Sequence, residues 1–532
     1  MEKHLVPFAA VPQLAKTDVS YATNDPALKP FYVHAPGLDA IHQTVEARQQ
    51  VITPREVLVE ALTEQYRDLP RQEAVWHNIK ALQQANTWSI TTAHQPSLLT
   101  GPLYFIYKAI TTIRLAQEAE KSLGTPHRVV PVFVLGSEDH DLEEVNHARL
   151  FGKTVEWHPG LTGPVGLMPS DTLAGVLAEL KDILGTADAA AALFQRVEAA
   201  YAPGVSFATA TKRLLHNLLG RFGLLVLGMD APDMKRLFIP VMRDELLHQN
   251  AHRLVSDTIG QLAALGFKAQ APPRDINLFY MKPGLRERIV QEADGYSVLH
   301  TDLHFTQAEL LAELEAYPER FSPNVILRPL YQEMMLPNLA YVGGGGELAY
   351  WLERRSLFEH YGIPYPMLVR RNSVLILDKE STKKRIKFGL ETKQLFEDAD
   401  ALVRQYIEAH ADTNLSLEPE TEALATLYAS IAHKAMSIDP TLEKAVQAEA
   451  VKAKSALQQW ESRLHRAEKQ RHEVTLGQMR ALKDKLFPGG NGLQERSDNA
   501  LPQLLKHGDG FMDTLMENLH PFDPGFVVLE YP

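Results

Sequence analysis

Residues 88–112 read WSITTAHQPSLLTGPLYFIYKAITT, and the change of texture within them decides the fold. Trp88 to Thr92 is strand-like, His94-Gln95-Pro96 breaks the strand, Thr100-Gly101-Pro102 turns the chain, and an apolar helix follows with Tyr104, Tyr107 and Lys108. A strand that runs through a polar loop into a helix N-terminus suits an anion, because unpaired backbone N–H groups and the helix dipole face one point. The alternation continues outward through VVPVFVLG, a helical stretch over 173–220, and GLLVLGMD. Short apolar strands separated by longer helical segments predict a parallel sheet flanked by helices, an α/β core.

Around that core the texture varies. Residues 1–87 read as an N-terminal wrap of loops and helices, amphipathic from Arg55 to Tyr66, and the core extends to about residue 377. Within it, about 160–202 reads as a helical insertion, and about 267–305, with NLFYMKP, RERIVQE and YSVLHTD, as a β insertion. The core resumes at NLAYVGGGGELAYWLERR and closes with MLVRRNSVLIL. Residues 378–488 are polar, charged and helical. There Val446, Ala450, Ala453, Leu457, Trp460, Leu464 and Ala467 follow at spacings of 4, 3, 4, 3, 4 and 3, a heptad seam. Such a seam predicts a coiled coil, buried either on a helix at about 419–437 or on a second subunit as a homodimer. LFPGGNGLQER stops the helix, and 489–532, ending in FVVLEY, is expected to return to the core.

The chain of 532 residues has a formal net charge of -12 and no cysteine. With a pI near 6.0, a general nucleic-acid coat is disfavoured and small molecules are the expected ligands. The lack of cysteine removes disulfides, thiolate metal sites and cysteine nucleophiles together. The longest apolar runs, such as Leu224 to Leu227, are far below a membrane span, and MEKHLVPFAAVPQ lacks a basic-then-apolar leader, so a cytoplasmic protein is expected.

Ligands on open parallel sheets sit beyond the carboxyl ends of the strands. Four strand ends carry polar clusters: His94-Gln95 with Thr100-Gly101; Ser137-Glu138-Asp139-His140-Asp141, then Asn146 and His147; Met229-Asp230; and Gly343 to Glu347. Each alone also reads as a capped turn, and their convergence is what points to a site. In the first loop His94, Thr100 and Gly101 are candidates for holding a nucleotide phosphate, with Gln95, Tyr104 and Lys108 beside them for substrate. This loop resembles the first loop of class I nucleotidyltransferases and tRNA synthetases, whose second signature, a mobile lysine loop, has no clean counterpart beyond KKRIKFG. In the second loop crowded carboxylates should push one another toward protonation, which suits Asp139, then His140 and Glu138, as general bases for an amine. Asp141, Asn146 and Asp230 are candidates for an ammonium or sugar hydroxyls. Gly343, Gly344 and Gly345 before Glu347 either form an anion nest or permit a tight crossover. Gly490 and Asn491 with Arg496 make a second candidate phosphate turn. No spacing matches a recurrent metal-ligand motif, which leaves a metal open.

In order along the chain, HQPSLLTGPLYFIYKAI, VPVFVLGSEDHDLEEVNH, LLVLGMDAPDMKRL, YVGGGGELAYW, the heptad helix and LFPGGNGLQER resemble the bacillithiol biosynthesis cysteine-adding enzyme family. The resemblance spans nearly the whole chain. Many members have Gly-Gln at the first loop and Gly-Glu-Asp-His-Asp at the second, where this chain has His94-Gln95 and Ser137-Glu138-Asp139-His140-Asp141. The resemblance implies a Rossmann-type core with connecting insertions and a coiled coil that mediates dimerisation. It also implies the last step of bacillithiol synthesis, an amide between the cysteine carboxyl and the glucosamine amine of glucosaminyl-malate. It carries over no residue roles. An amide made from a free carboxylate needs an activated acyl group, so ATP or another nucleotide is expected, and Lys108 and Arg328 could meet the malate carboxylates or a developing oxyanion. A nucleotidyltransferase-like adenylating enzyme and a non-catalytic scaffold stay open as alternatives.

Overall fold

The computed structural model describes residues 1–410 and 415–532. The chain forms two compact units: Lys3–Leu375 with Gln494–Leu529, and Ile376–Leu493 with Met1–Glu2 and Glu530–Pro532. Numbered along the chain, the strands are β1 (Glu2–Pro7), β2 (Thr87–His94), β3 (Arg128–Leu135), β4 (His147–Leu150), β5 (Lys153–Glu156), β6 (Leu225–Gly228), β7 (Leu278–Lys282) and β8 (Leu285–Glu292). They continue with β9 (Gly295–Val298), β10 (His304–Phe305), β11 (Phe321–Pro323), β12 (Asn338–Gly343), β13 (Met367–Arg370), β14 (Val374–Leu377) and β15 (Gly525–Glu530).

The larger unit is built on a five-stranded sheet of order β13-β12-β2-β3-β6. Every pairing in it is parallel. Such strands are covered on both faces, which is why β3 reads RVVPVFVL as one apolar run and β2 is buried at every position but His94. From β2 the chain steps to β3 and β6 on one side, then returns to β12 and β13 on the other. The reversal lies between β2 and β12, where an open α/β sheet leaves its crevice. The helix Leu103–Leu123 packs across β2 and β3, setting Phe105 on Phe133 at a ring separation of 4.8 Å, and Gly124 ends it at φ 67°.

The 160–202 region contains two helices, Ala174–Leu184 and Asp188–Ala200. A hairpin of β4 and β5, absent from the sequence reading, precedes it. The β segment is a five-stranded sheet of order β10-β9-β8-β7-β11 that reaches Pro323, beyond the expected 305, because β11 pairs antiparallel with β7. N-terminal β1 was also missed: it becomes a strand only through a long-range neighbour, β15, in the order β1-β15-β14.

In the smaller unit the helices Glu418–Ile438 and Leu442–Arg471, joined by a three-residue turn, pack along each other. From Val446 onward, the half-covered positions of the second helix are Val446, Ala450, Ala453, Leu457, Glu461 and His465, with Glu468 buried. Their spacings of 4, 3, 4, 4, 4 and 3 follow a straight helix rather than a heptad, so the apolar seam drifts out of contact after Leu457. Trp460 and Leu464 are left 56% and 39% exposed. No helix among the described residues is long and apolar enough to cross a membrane.

Candidate functional site

A cavity of about 760 Å³ opens at the carboxyl ends of the parallel strands, within the usual size for a small-molecule site. It takes in all four polar strand ends: His94 and Gln95 after β2, Glu138 and Asp139 after β3, Asp230 after β6, and Gly344 to Glu347 after β12. Tyr104, Arg328 and Arg496 also line it. From β12 to β6 is three strand spacings, roughly 14 Å, which is room for two substrates side by side.

One half of the cavity offers positive charge. The helix Gly345–Leu352 starts at its wall, and the first N–H groups of a helix have no internal partner. Gly344 N donates to the Glu347 carboxylate at 2.9 Å, leaving Gly345 and Gly346 bordering the cavity. Position 345 must be glycine, since a Cβ there would lie 2.1 Å from the Asp18 carboxyl carbon. Arg328 donates to the Tyr350 hydroxyl at 3.0 Å and to Gln332 at 3.3 Å. Arg496 is exposed at the rim and makes no hydrogen bond or ion pair among the described residues. Arg371, which the sequence reading passed over, is held by a bidentate pair to buried Glu495 at 2.9 and 3.0 Å, so its fork is already used.

The acidic half differs from the sequence expectation. Burial alone would raise the Asp139 carboxyl, but the Arg286 guanidinium, the Gln95 amide and the His140 N–H outweigh it and hold Asp139 below the usual carboxylate range. Gln95 donates to it at 2.6 Å and Arg286 at 3.3 Å. The raised carboxyl is instead Glu144, whose side chain is exposed in the cavity lining; the desolvation of its carboxyl there and then Asp141, Asp139 and Glu347 push it up. Arg286 also donates to His140 Nδ1 at 2.7 Å. A guanidinium only donates, so Nδ1 is the bare nitrogen, the ring proton sits on Nε2, and His140 cannot take a proton at Nδ1 while this contact lasts. Glu138 is paired with buried Lys235 at 2.6 Å.

Other expected site residues have different work. Lys108 is fully buried, bound to Glu347 at 2.8 Å and to the Ala93 carbonyl, and does not face the cavity. Thr100 N and Gly101 N donate to Ser97 O and Leu98 O, and Leu103 N donates to Asp498 O at 2.7 Å. The N–H groups expected to grip an anion there are thus spent inside the fold. His94 lines the cavity as a neutral ring: Nδ1 lies 2.9 Å from the Gln95 carbonyl, which can only accept, so Nε2 accepts from Tyr104 at 3.0 Å. Burial, with Lys108 and Arg371 adding, lowers it to about 4. Asp141 caps the turn Leu142–Val145. Asn146 and Gly343 do not line the cavity, and Gly490 and Asn491 belong to the smaller unit.

The model of the family described as Bacillithiol biosynthesis BshC, N-terminal Rossmann-like domain, matches residues 1–372, and that of its C-terminal coiled-coil domain matches residues 374–531. The chain belongs to the BshC family. It is 37% identical over 511 residues to a protein of Flavobacterium johnsoniae named "Putative cysteine ligase BshC", covering 96% of each chain. A protein of the same name from Flavobacterium psychrophilum is 34% identical over 520 residues, covering 97% of each, and one from Salinibacter ruber is 30% identical over 551 residues, covering 97% of this chain and 96% of that one. BshC proteins thus match both parts of the molecule, the Rossmann-like core that bears the cavity and the helical segment after it.

Proposed function

We propose that the cavity joins the carboxyl of cysteine to the glucosamine amine of glucosaminyl-malate, completing bacillithiol, with ATP as the source of activation. The observation that carries this reading is that one two-substrate cavity holds both kinds of group: helix N–H groups with the guanidiniums of Arg328 and Arg496, and the carboxylates Asp139, Glu144 and Asp230. An amide ligase has to hold anions, the phosphates and carboxylates of its substrates, opposite an amine that must shed a proton. The family's cysteine ligase name supports the choice of substrates.

The residues fit that chemistry. Gly345, Gly346, Arg328 and Arg496 would hold phosphate or carboxylate oxygens; ATP, when bound, supplies the activation a free carboxylate lacks. Asp139, kept ionised and fixed by Gln95 and Arg286, orients the incoming amine. Glu144, whose raised carboxyl binds a proton more readily than an ordinary glutamate, takes the proton as the carbon–nitrogen bond forms. The exposed apolar side chains of the hairpin, Leu427, Ile431, Trp460 and Leu464, are covered by a second copy, giving a homodimer, and a cytoplasmic location goes with the ATP-dependent chemistry.

The test is direct. Purified protein, cysteine, glucosaminyl-malate and ATP are mixed, and thiol product, AMP and ADP are followed by mass spectrometry. Stoichiometric amide with one nucleotide product supports the reading. AMP transfer to a carboxylate without amide would make it an adenylating enzyme, and no reaction, with no glucosaminyl-malate accumulating in cells lacking the protein, would overturn the assignment.

A further inference from the structure

Five carboxylates line the cavity, and three of them already have a partner: Glu138 with Lys235 at 2.6 Å, Glu347 with Lys108 at 2.8 Å, and Asp139 with Arg286 at 3.3 Å. The remaining two, Glu144 and Asp230, have no cation within ion-pair distance among the described residues. Glu144, exposed in the cavity lining, carries a raised carboxyl that accepts protons. Asp230 is half-buried at the end of β6 and makes no hydrogen bond or ion pair of its own among the described residues. The Tyr331 hydroxyl beside it donates to the Met229 carbonyl at 2.9 Å. Lys212 behind it donates to the Gln65 carboxamide at 3.0 Å, and burial lowers Lys212 to about 7 although Asp230 acts to raise it. Gly228 keeps the carboxylate clear, since a Cβ there would lie 3.0 Å from Asp230 Oδ1.

A partly desolvated carboxylate facing a cavity gains most from a cation brought by the ligand. We infer that Asp230 is the subsite for the α-ammonium of the amino-acid substrate, selecting a zwitterionic thiol over a thiol acid that lacks the amino group. This rests on the ligase reading for the identity of the amino acid, and it assigns the two nitrogens of the reaction to different carboxylates. The ammonium of the acyl donor sits on Asp230, away from the amine served by Asp139 and Glu144, and is so kept protonated and out of the reaction.

The experiment compares L-cysteine with 3-mercaptopropionate, which keeps thiol and carboxylate but has no ammonium. Calorimetric titration of the wild-type protein should show cysteine bound at least about tenfold more tightly, the scale of one charge-assisted hydrogen bond. Asp230→Asn should bring the two ligands within about threefold of each other, Asp230→Glu should keep the preference, and Glu144→Gln should keep it too. If Asp230→Asn does not fold by circular dichroism, Asp230→Ser takes its place. A wild-type protein without preference, or a preference that survives the loss of the charge, overturns the inference. Amide synthesis is measured in parallel to tell the two failures apart. An Asp230-dependent preference without amide product keeps the subsite and overturns the reaction; amide product with a preference indifferent to Asp230 does the reverse.

Discussion

In the core, Arg48 and Glu333 are 2% and 0% exposed and bonded at 2.8 Å, whereas in the helical hairpin Glu418–Ile438 buries no side chain and Trp460 on the second helix stands 56% exposed. The core closes on itself. Its buried charges meet protein partners: Arg48 also donates to the Glu333 and Asn338 carbonyls, Lys108 meets Glu347, and Arg371 meets Glu495. The hairpin has a contact stripe and, beside it, apolar side chains left partly uncovered, as a helix pair does when part of its surface belongs to something else. In the first region a substitution acts through a lost partner, and in the second through what the surface covers.

The largest expected effect tests the closed region. Arg48→Met leaves Glu333 buried without its cation, which should cost about 3–5 kcal/mol in denaturant unfolding at neutral pH. Burial already raises Glu333 despite Arg48, and removing Arg48 raises it further. A carboxyl whose folded value lies above its unfolded one binds its proton more tightly when folded, so stability rises as pH falls through that window. The deficit of the variant should therefore shrink toward acid. A loss under about 1 kcal/mol, unchanged by pH, would show that the core tolerates open charge and would break the contrast.

Next comes the cavity, where Glu144 and Asp230 have no cationic partner among the described residues. Glu144→Gln removes the proton acceptor and should lower amide formation by about 10²-fold or more, while Asp139→Asn, which loses an orienting charge, should raise KM for the amine more than it lowers kcat. A carboxylate accepts a proton only above its own titration point, and Glu144 lies above the ordinary glutamate value. The wild-type rate should thus fall, as pH drops, at a point above the ordinary glutamate range, and Glu144→Gln should lose that acid limb. Equal pH profiles in the two proteins would return the role to Asp139.

What the sequence made legible follows the range of the forces involved. The stretch from Trp88 to Thr112 announced strand, turn and helix because those depend on neighbours along the chain, and the polar strand ends were found because they follow apolar runs. The partners were not legible. Asp139 meets Arg286 147 residues away and Arg371 meets Glu495 across 124, so a loop that looked self-repelling is in fact held ionised. Gly345 announced itself as glycine, but the reason, the approach of Asp18, is set by tertiary packing. Thr100 and Gly101 had the right local look for an anion and lost it to Ser97 and Leu98, as the Leu103 N–H did to the distant Asp498 carbonyl. Glu144 was unremarked because what raises it, the desolvation of its carboxyl in the cavity wall together with Asp141, Asp139 and Glu347, depends on tertiary packing.

A smaller effect on stability, though a large one on mass, belongs to the hairpin. Trp460→Asp with Leu464→Asp should halve the particle mass in light scattering and leave the unfolding of the core unchanged, because both side chains are partly uncovered and belong to the smaller unit. Leu457→Asp acts on the inner stripe and should loosen the two helices against each other, seen as faster amide exchange over 418–438. An unchanged mass in the double variant would mean that something other than a second copy covers the stripe.

The smallest effect is the sharpest control. Lys452 pairs with Glu449 at 2.7 Å, three residues back on the same helix, with the two side chains 73% and 59% exposed. An ion pair held by two long, mobile side chains in water gains little over their separate hydration, and salt screens what remains. Lys452→Met should leave the denaturation midpoint unchanged at any protein concentration. The position lies one residue from Val451, itself 66% exposed, so the substitution also reads what covers that face. If the midpoint shifts, and shifts more at high protein concentration, Lys452 is desolvated in the assembled protein and the second copy seats there. The stripe of Trp460 and Leu464 would then be only part of a wider interface, and the hairpin would be closed in solution in the same sense as the core.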